Sequence, residues 1–587
     1  MSTLVVWCLP FDDEHNPLGM GLTKLFVGQT TDIADLKKMV IDAERLHPLL
    51  PSQLTVWRCK PEAPSLILTE KEELANRIRD IMANKQADII HDMDVIASLG
   101  LKEKTILPIQ VPTIQKSDPR SMKRGLEEED DILVKRQEDR DVEMVRNAPL
   151  PSSSAAMPAL WDEQKKRPVL NGRPDNNFGP PIGLFHPVFN SFQAALKIPE
   201  PTYADAQTYN SVKELFCAVT AIYNNKADRI VAIDKHLSTL LGTHFIDVYS
   251  TGVLSDGVMV HSTGICTAYL VIREVKNEIG TTSADPYNQV GLAYRKYWAH
   301  PSNDRIRKLC YCPSILLAIA GPWMCVIGAI YLDKAVIQPL TDYIWLGGDV
   351  YDDNRLVLTA RLFAALKAAA STLQSYYQIL GPTLLNDVPE NLSPDPFPFV
   401  TECGSKKFTY LYRLFAREHP EKLLYGARLQ GEERLVVVKF ASSYHAEAHR
   451  ILADHQLAPT LHFAGTEDAG GSMYGGRYMI VMDFIDGCSA PDRLSNSQFN
   501  QIKEAIELLH SRNLVFGDLR EPNILVQDGS VKLIDFDWCG TAGEARYPPS
   551  LNLDPALGWH KEVKPDAVIM KEHDLYMLEV LRDHYMS

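Results

Sequence analysis

The sequence has 587 residues, a formal net charge of −15 and ten cysteines. This length is too great for one hydrophobic core, so several domains are expected. The acidic balance argues against a protein that coats nucleic acid through its overall field, although it leaves room for a local basic groove. Scattered cysteines without paired metal-ligand spacing are typical of free thiols in a reducing compartment. Residues 1–7 lack a basic or long apolar stretch, so we expect no ordinary secretory signal and an unconventional route for any export.

Residues 1–112 predict one compact unit. Alternating apolar residues predict strands at 4–8, 25–27, 54–59 and 106–111. Between them, a helical repeat of apolar residues predicts an amphipathic helix over 32–46. A hairpin, a crossing helix and later strands together predict a β-grasp, ubiquitin-like domain.

Three segments of this unit carry a family resemblance. They read Asp-Leu-Lys at 35–37, Leu-Thr-Val-Trp at 54–57 and Thr-Ile-Leu-Pro-Ile-Gln-Val-Pro at 105–112. With these segments the unit resembles the N-terminal domain of Crinkler-type effectors, and the fungal branch more than the oomycete branch, whose motif is only echoed at 25–27. The alternative is a ubiquitin-like adaptor domain without that role.

Residues 113–180 predict a disordered linker. The segment contains an acidic run at 127–131, mixed charges at 135–146 and a stretch rich in Pro, Ser and Ala at 149–158. Such a composition buries too little apolar surface to offset chain entropy. Its basic residues at 165–167 would suit a nuclear import receptor, and solvated linker charge is the alternative.

Residues 181–395 place two acids and a lysine at the edge of one predicted sheet. Asp256 enters one strand, while Glu274 and Lys276 end the next strand and point to the same side. Asp256 and Glu274 would bind Mg²⁺, and Lys276 would position the attacking water and stabilise charge on a phosphate under attack. The alternative is a surface strand with solvated charges.

This arrangement resembles the site of the restriction-endonuclease-like superfamily. A predicted helix beginning at Asp285 carries Gln289, similar to the glutamine-bearing helix that often follows the site in that superfamily. The resemblance implies an α/β domain over 181–395 with DNA as its partner. It assigns catalysis to Asp256, Glu274, Lys276 and Gln289.

An uncharged stretch at 313–332 is long enough to cross a membrane. Gly321 and Pro322 interrupt it, and β-branched residues flank them. We therefore predict two buried strands joined by a turn, and no membrane span.

The C-terminal region contains an acid and an amide five residues apart, Asp518 and Asn523, on a predicted loop, and Asp535 after a short apolar strand. This is the layout of a phosphoryl-transfer site. Asp518 would accept a hydroxyl proton, and Asn523 with Asp535 would hold Mg²⁺ against nucleotide phosphates. Arg520 stands where a charge stabiliser for the transferring phosphoryl group is expected.

The preceding elements occur in a matching order. A strand at 435–440 carries Lys439, which would bind the phosphates, and a helix at 444–455 carries Glu447, placed to pair with it. A strand ending at Asp483 leads to a hinge whose backbone would meet adenine. A helix capped by Ser495 or Ser497 follows. This order resembles the protein-kinase-like fold over residues 396–587, and the resemblance implies ATP, Mg²⁺ and a protein phosphoacceptor.

Departures from the kinase pattern are also present. No Gly-x-Gly-x-x-Gly precedes Lys439, so a weak grip on nucleotide is expected, and the metal turn ends in Asp537 where glycine is usual. Gly517 stands where many kinases have Arg, which argues against control by activation-loop phosphorylation. Asp574 resembles the buried aspartate that braces a catalytic loop. The alternative is a degenerate pseudokinase.

The sequence thus predicts a multidomain α+β protein. The order of ubiquitin-like domain, linker, nuclease-like region and kinase-like region resembles fungal Crinkler effectors. That resemblance implies delivery into a host or competitor cell, often its nucleus, and partners among the proteins of that cell. Two alternatives stay open: a cytoplasmic kinase whose other domains only bind partners, and a scaffold in which both enzyme modules are inactive.

Overall fold

The computed structural model describes five strands within residues 3–110 and then residues 141–586 with short gaps. The gaps are residues 198–204, 248–254, 264–266, 386–396, 416–420, 433, 468–470, 487 and 490–493. The chain forms two compact units, Met1–Val134 and Lys135–Ser587. The architecture is mixed α and β, as the sequence predicts.

The first unit contains a five-stranded sheet in the order β2-β1-β5-β3-β4. Its strands are β1 (Thr3–Phe11), β2 (Thr23–Gly28), β3 (Thr55–Cys59), β4 (Ala87–Ile90) and β5 (Ile106–Gln110). Strands β1 and β5 run parallel, and the other neighbours are antiparallel. The four predicted strands coincide with β1, β2, β3 and β5. The short β4 has no counterpart among the predicted strands, and the predicted helix over 32–46 lies outside the described residues.

Residues 141–180 depart from the prediction of a disordered linker, because they fold as part of the second unit. They include helices α1 (Pro151–Ser154) and α2 (Ala159–Lys166). Val145, Ala155 and Val169 are buried in the main core. The physical reason is tertiary: a few apolar side chains, too sparse to predict order, are buried against a surface that is distant in sequence.

The middle of the second unit is a mixed sheet in the order β10-β9-β8-β7-β6, with a short β11 beside β9. Its strands are β6 (Val258–Ser262), β7 (Thr267–Lys276), β8 (Ser314–Ala320), β9 (Trp323–Tyr331), β10 (Ala335–Pro339) and β11 (Ile344–Trp345). Strands β7 and β8 are parallel, and β8 and β9 form a buried hairpin. The prediction of two buried strands around Gly321 is therefore confirmed.

Six helices pack on or near this sheet. They are α3 (Pro187–Lys197), α4 (Ala206–Thr220), α5 (Lys226–Leu241), α6 (Pro286–Trp298), α7 (Asp304–Arg307) and α8 (Asn354–Leu385). Helix α6 packs on β7 and β8, whereas α8 packs on α3, α4 and α5.

Helix α8 is, within the part of the chain that the structure describes, the one helix long and apolar enough to cross a membrane. Its most apolar window has a mean hydropathy of 1.5, and 50% of that window is buried. The core helix of a globular domain has the same properties, so this is weak evidence for a span.

The C-terminal region begins with an antiparallel, strand-rich lobe in the order β12-β13-β14-β15-β18-β16, with β17 beside β18. The elements are β12 (Glu402–Cys403), β13 (Lys406–Leu414), β14 (Leu424–Leu429), β15 (Leu435–Ala441), α9 (Ala446–Asp454), β16 (Leu461–Ala464), β17 (Met473–Tyr474) and β18 (Arg477–Asp483). The core of this lobe is continuous with that of the middle region.

A second lobe follows with its own core. Its elements are β19 (Cys488–Ser489), α10 (Asn496–Ser511), β20 (Leu514–Val515), β21 (Ile524–Gln527), β22 (Ser530–Leu533), β23 (Gly540–Thr541) and α11 (Lys571–Met586). Ser495 caps α10 through a reciprocal pair of hydrogen bonds with Gln498, which decides between the two predicted caps. The apolar face of α10 is buried against β20, β22 and α11.

Candidate functional sites

The loop after β20 holds Asp518 in a network of donors. The carboxylate of Asp518 accepts a hydrogen bond from the Asn523 amide at 2.8 Å and a bidentate pair of bonds from Arg520, one of them at 2.9 Å. Asp518 is 5% exposed. The Ile534 amide donates to the Asn523 carbonyl at 3.0 Å, which brings the turn at Asp535 against this loop. The structure thus brings the predicted base and both predicted metal ligands into one neighbourhood.

Asp574 fixes the backbone of the same loop. Its carboxylate accepts hydrogen bonds from the amides of Phe516 and Gly517, each at 2.8 Å, and contacts the His510 ring at 3.0 Å. Gly517 has φ +80°, a conformation that side chains other than glycine rarely adopt, and a Cβ there would lie 3.0 Å from Ile569. Asp574 therefore braces the loop, as the sequence predicts, and the backbone conformation at position 517 favours glycine.

Lys439, on β15, contacts the turn at residues 535–537, where the sequence predicts a metal ligand. Its ammonium contacts the carboxylates of both Asp535 and Asp537, the second at 2.6 Å. Burial opposes the ionisation of Asp535, but the Lys439 charge outweighs it and lowers the pKa of Asp535. Burial, assisted by the charge of Asp535 and opposed by Lys439, raises the pKa of Asp537 to about 7. Two carboxylates therefore share one cation, and one of them is easily protonated.

The predicted pairing of Lys439 with Glu447 is absent from the structure. Glu447 lies in the first turn of α9 and is exposed, while the Lys439 ammonium is engaged by Asp535 and Asp537. The sequence predicts the strand that carries Lys439 and the helix that carries Glu447, but it does not determine their contact. Only the rotation of α9 relative to the sheet decides whether they meet.

Asp483, at the end of β18, has polar partners on or beside the neighbouring strands. Its carboxylate contacts His462 at 2.7 Å and Arg434 at 3.4 Å, and its amide donates to the Thr460 carbonyl at 2.9 Å. The binding of adenine by the hinge backbone that follows β18 stays a prediction. Asp483 ties the end of β18 to β15 and β16.

The sequence between β13 and β14, where a phosphate-binding lid is expected, contains no glycine. Gly426 lies within β14 under the Tyr412 ring. A Cβ at this position would come within 2.6 Å of the ring carbons, so glycine here allows the ring to pack against the strand. This segment does contain Lys422, whose charge helps to lower the pKa of Asp535. Lys422 is not among the residues predicted for the site, and the signal for it is a lysine where the glycines of the lid are expected.

The second site assembles at the end of β7. Lys276 donates to Gln289 on α6 at 2.6 Å and lies 3.2 Å from the Glu274 carboxylate. Asp256 approaches the same strand, since its carboxylate accepts a hydrogen bond from the Val275 amide at 2.8 Å. All four residues predicted from the sequence, Asp256, Glu274, Lys276 and Gln289, therefore converge.

Lys226, the first residue of α5, is a member of this site that sequence analysis missed. Its ammonium lies 2.5 Å from the Asp256 carboxylate and 3.3 Å from that of Glu274. Because α5 is separated from β7 by the strand β6 and a connecting segment, no local motif could have revealed this contact. The Lys226 ammonium lies between the two carboxylates, where a metal ion would bind.

Glu274 is fully buried and electrostatically perturbed. Burial, followed by the charge of Asp256, raises the pKa of Glu274 to about 7, although Lys226 and Lys276 oppose the change. Its Oε2 atom has no hydrogen-bond partner among the described residues. An orphaned, buried carboxylate oxygen beside a second acid is a chemical fit for a divalent cation such as Mg²⁺.

Comparisons with known proteins bear on the C-terminal region. Residues 468–572 match the family profile "Lipopolysaccharide core biosynthesis protein (WaaY)". Lipopolysaccharide core heptose(II) kinase WaaY of Escherichia coli is 26% identical over 90 residues, which cover 15% of this chain and 38% of that protein. Serine/threonine-protein kinase pak-1 of Caenorhabditis elegans is 36% identical over 104 residues, which cover 16% of this chain and 18% of that kinase. The chain thus spans well under half the length of these curated relatives.

Among solved structures, the Cydia pomonella granulovirus kinase PK-1 is similar with a TM-score of 0.25 and 18% identity. The similarity covers 31% of this chain and 68% of the viral kinase. The family profile and the kinase relatives identify the C-terminal region as kinase-like.

Proposed function

We propose that the C-terminal region is a phosphotransferase that uses ATP and Mg²⁺. The observation that carries this proposal is the convergence of Asp518, Asn523, Asp535 and Lys439 around one loop. Asp518 accepts the proton of the acceptor hydroxyl, and Arg520 beside it neutralises charge on the phosphoryl group in transfer. Asn523 and Asp535 supply the hard oxygen ligands that Mg²⁺ prefers, and Lys439 binds phosphate.

The acceptor is a hydroxyl group. Relatives named as a heptose kinase and a serine/threonine-protein kinase support this chemistry. We favour a protein acceptor, and a sugar acceptor is the alternative.

The test uses the full chain. Calorimetric ATP titration with and without Mg²⁺ is combined with an autophosphorylation assay. Asp518→Asn should retain ATP affinity and lower turnover by about 10²–10⁴, because it removes proton acceptance and not binding. Asp535→Asn should lose Mg²⁺-dependent binding as well. Asp528→Asn is the control, since Asp528 is exposed in a turn with φ +50° that asparagine tolerates.

A wild-type protein that binds no nucleotide at millimolar ATP would be a pseudokinase, and the proposal would fail. Equal loss of turnover in the Asp528→Asn control would also contradict it.

We propose as a second activity that the middle region cleaves DNA with Mg²⁺. The unpartnered Oε2 of Glu274, beside Asp256 and Lys276, supports this activity. Plasmid cleavage by the full chain should require Mg²⁺ and should be abolished by Glu274→Gln and by Lys276→Ala. Lys213→Ala, an exposed substitution on α4, should leave cleavage unchanged. Cleavage that survives both site substitutions would exclude this role.

We further propose that the whole protein is a Crinkler-like effector that leaves its cell unconventionally and acts in a host or recipient cell, often in the nucleus. The sheet order β2-β1-β5-β3-β4 with parallel β1 and β5 supports a β-grasp domain at the N-terminus. The alternative is a cytoplasmic kinase or pseudokinase whose first two regions bind partners. Immunolocalisation during contact with a recipient cell distinguishes them, because only an effector is found inside that cell.

A further inference from the structure

A group of potential metal ligands lies outside both candidate sites. The segment after β23 runs to α11 and carries His560 and Glu562, and the third residue of α11 is His573. One ligand atom from each of these three residues lies within 4.8 Å of the others. Two imidazoles and a carboxylate are thus gathered at one point where a loop meets a helix.

The ring of His573 provides an independent observation. His573 is 2% exposed, and its Nε2 atom has no hydrogen-bond partner among the described residues. A buried ring nitrogen without a partner destabilises a fold unless something binds it.

We propose that His560, Glu562 and His573 bind a Zn²⁺ ion. Imidazole nitrogens with one carboxylate suit Zn²⁺, whereas Mg²⁺ prefers oxygen ligands. A tetrahedral Zn²⁺ ion with bonds of about 2.0–2.1 Å sets its ligand atoms roughly 3.3 Å apart, so only a small closing movement is needed. Glu562 is exposed and has the freedom to make that movement.

The second nitrogen of His573 agrees with this assignment. Its Nδ1 atom lies 3.2 Å from the Tyr547 hydroxyl oxygen, which can accept a hydrogen bond from a protonated Nδ1. The Met570 amide donates a long hydrogen bond to Nδ1 at 3.4 Å, and this bond must give way when Nδ1 carries the proton. A proton on Nδ1 leaves the lone pair of Nε2 for the metal, and Tyr547 then orients the ligand.

The ion would connect two parts of the lobe near the catalytic loop. His573 is adjacent to Asp574, which braces that loop. His560 is adjacent to Trp559, whose ring lies 5.2 Å from the Arg520 guanidinium. Zn²⁺ at this point holds the loop carrying Trp559 against α11, so its role is structural.

The experiment uses full-length protein stripped of metal by a chelator and then titrated with Zn²⁺ in competition with a chromophoric chelator. Millimolar Mg²⁺ is present throughout, so that oxygen-rich sites such as the one at Asp535 are occupied. Co²⁺ replaces Zn²⁺ in a parallel titration, because its visible absorption reports tetrahedral nitrogen and oxygen ligands. The test variants are His560→Ala and Glu562→Gln, and the matched controls are His455→Ala and Glu544→Gln, which are exposed elsewhere in this region.

We expect one tight Zn²⁺ equivalent and a higher melting temperature for the wild type and both controls. Each test variant should weaken binding by at least about 100-fold, which is the upper end of what loss of a supporting residue costs. The proposal is overturned if the wild type takes up no Zn²⁺ in excess Mg²⁺, or if both variants keep wild-type affinity. Should His560→Ala fail to fold, Glu562→Gln decides the outcome, because its side chain is exposed.

Discussion

Both candidate sites hold a buried carboxylate beside cations. Asp518 is paired with Arg520, and Glu274 is flanked by Lys226 and Lys276. Burying a charge is costly unless a partner compensates it. Nearby positive charges therefore stabilise these buried carboxylates. Removing one of these charges should change both the free energy of unfolding and the affinity for metal.

Lys226 provides a direct test, because its ammonium lies between the two acids that would bind Mg²⁺. Lys226→Met should tighten Mg²⁺ binding at Asp256 and Glu274, since the competing cation is gone. In Mg²⁺-free buffer it should lower the free energy of unfolding by about 1–3 kcal/mol. Calorimetric Mg²⁺ titration and urea unfolding measure the two effects. Weaker Mg²⁺ binding in the variant would show that Lys226 supports the metal site and does not compete with it.

His186 predicts a pH dependence. It is buried immediately before α3, its Nδ1 accepts a hydrogen bond from the Val188 amide at 3.2 Å, and burial lowers its pKa to about 4. In the unfolded chain the His186 ring is protonated below about pH 6.5, whereas in the folded chain it stays neutral down to about pH 4. Stability that is present at neutral pH is therefore lost as the pH falls from 6.5 to 4, by up to about 3 kcal/mol.

His186→Gln should remove this contribution and reduce the pH slope of stability in that window by up to about 1.4 kcal/mol per pH unit. Urea unfolding at several pH values measures the slope. His244→Gln, at an exposed position, should keep the wild-type slope. An unchanged slope in His186→Gln would contradict the assignment.

At the scale of elements, the helices α1 and α2 are held by long-range contacts. Glu163 on α2 forms ion pairs with Arg167 and with the buried Arg295 of α6. The backbone at Leu170 pairs with β10, since the Leu170 amide donates to the Ala335 carbonyl at 2.9 Å. This segment is therefore part of the second unit's structure, although its composition is that of a linker.

Glu163→Gln should leave the Arg295 charge buried and only partly compensated, at a cost of about 3–5 kcal/mol in the free energy of unfolding. Chemical denaturation of the full chain measures this loss. The neighbouring Asp162→Asn, on the exposed side of α2, should change stability by less than about 0.5 kcal/mol. Equal effects of the two substitutions would mean that the segment is not anchored by this pair.

At the scale of the whole molecule, the middle region and the strand-rich lobe of the kinase-like region share one core. The Phe399 amide donates to the Leu184 carbonyl at 2.8 Å, and the Gly475 amide donates to the Asn190 side chain at 2.8 Å. A shared core and direct hydrogen bonds couple the stability of the two regions. They are therefore expected to unfold together.

Phe185→Ala tests this coupling. Phe185 is buried in the middle region and packs edge-on against Tyr311 at 5.3 Å. The cavity should cost about 3–5 kcal/mol and should accelerate hydrogen exchange both in β8 and in β14. Exposed Leu358→Ala on α8 should change neither. Wild-type exchange in β14 of Phe185→Ala would show that the two regions are independent.

The boundary between the two compact units makes a different prediction for the N-terminal domain. Deleting residues 1–112 should leave the proposed phosphotransfer and the proposed DNA cleavage in vitro intact, because the second unit has its own core. The deletion should change where the protein is found in cells. Loss of catalysis at unchanged stability would instead make residues 1–112 a regulatory domain.

The sequence by itself determined many of the local elements and their order, but it did not indicate β4 or the helices α1 and α2. Alternating residues located β1 and β3, and an uncharged stretch interrupted by Gly321 and Pro322 located the β8–β9 hairpin. The spacing of Asp518 to Asn523 and of Glu274 to Lys276 located both candidate sites. These features depend on neighbours within a few residues, because side-chain direction along a strand or loop is set by local backbone geometry.

Only the tertiary structure decided which distant residues meet. It brought Lys226 between Asp256 and Glu274, turned Glu447 to solvent, engaged Asp483 with His462, and ordered residues 141–180. Each of these outcomes depends on how a helix is rotated and docked on a sheet. That docking is fixed by the summed packing of the whole core, and so no single motif contains it.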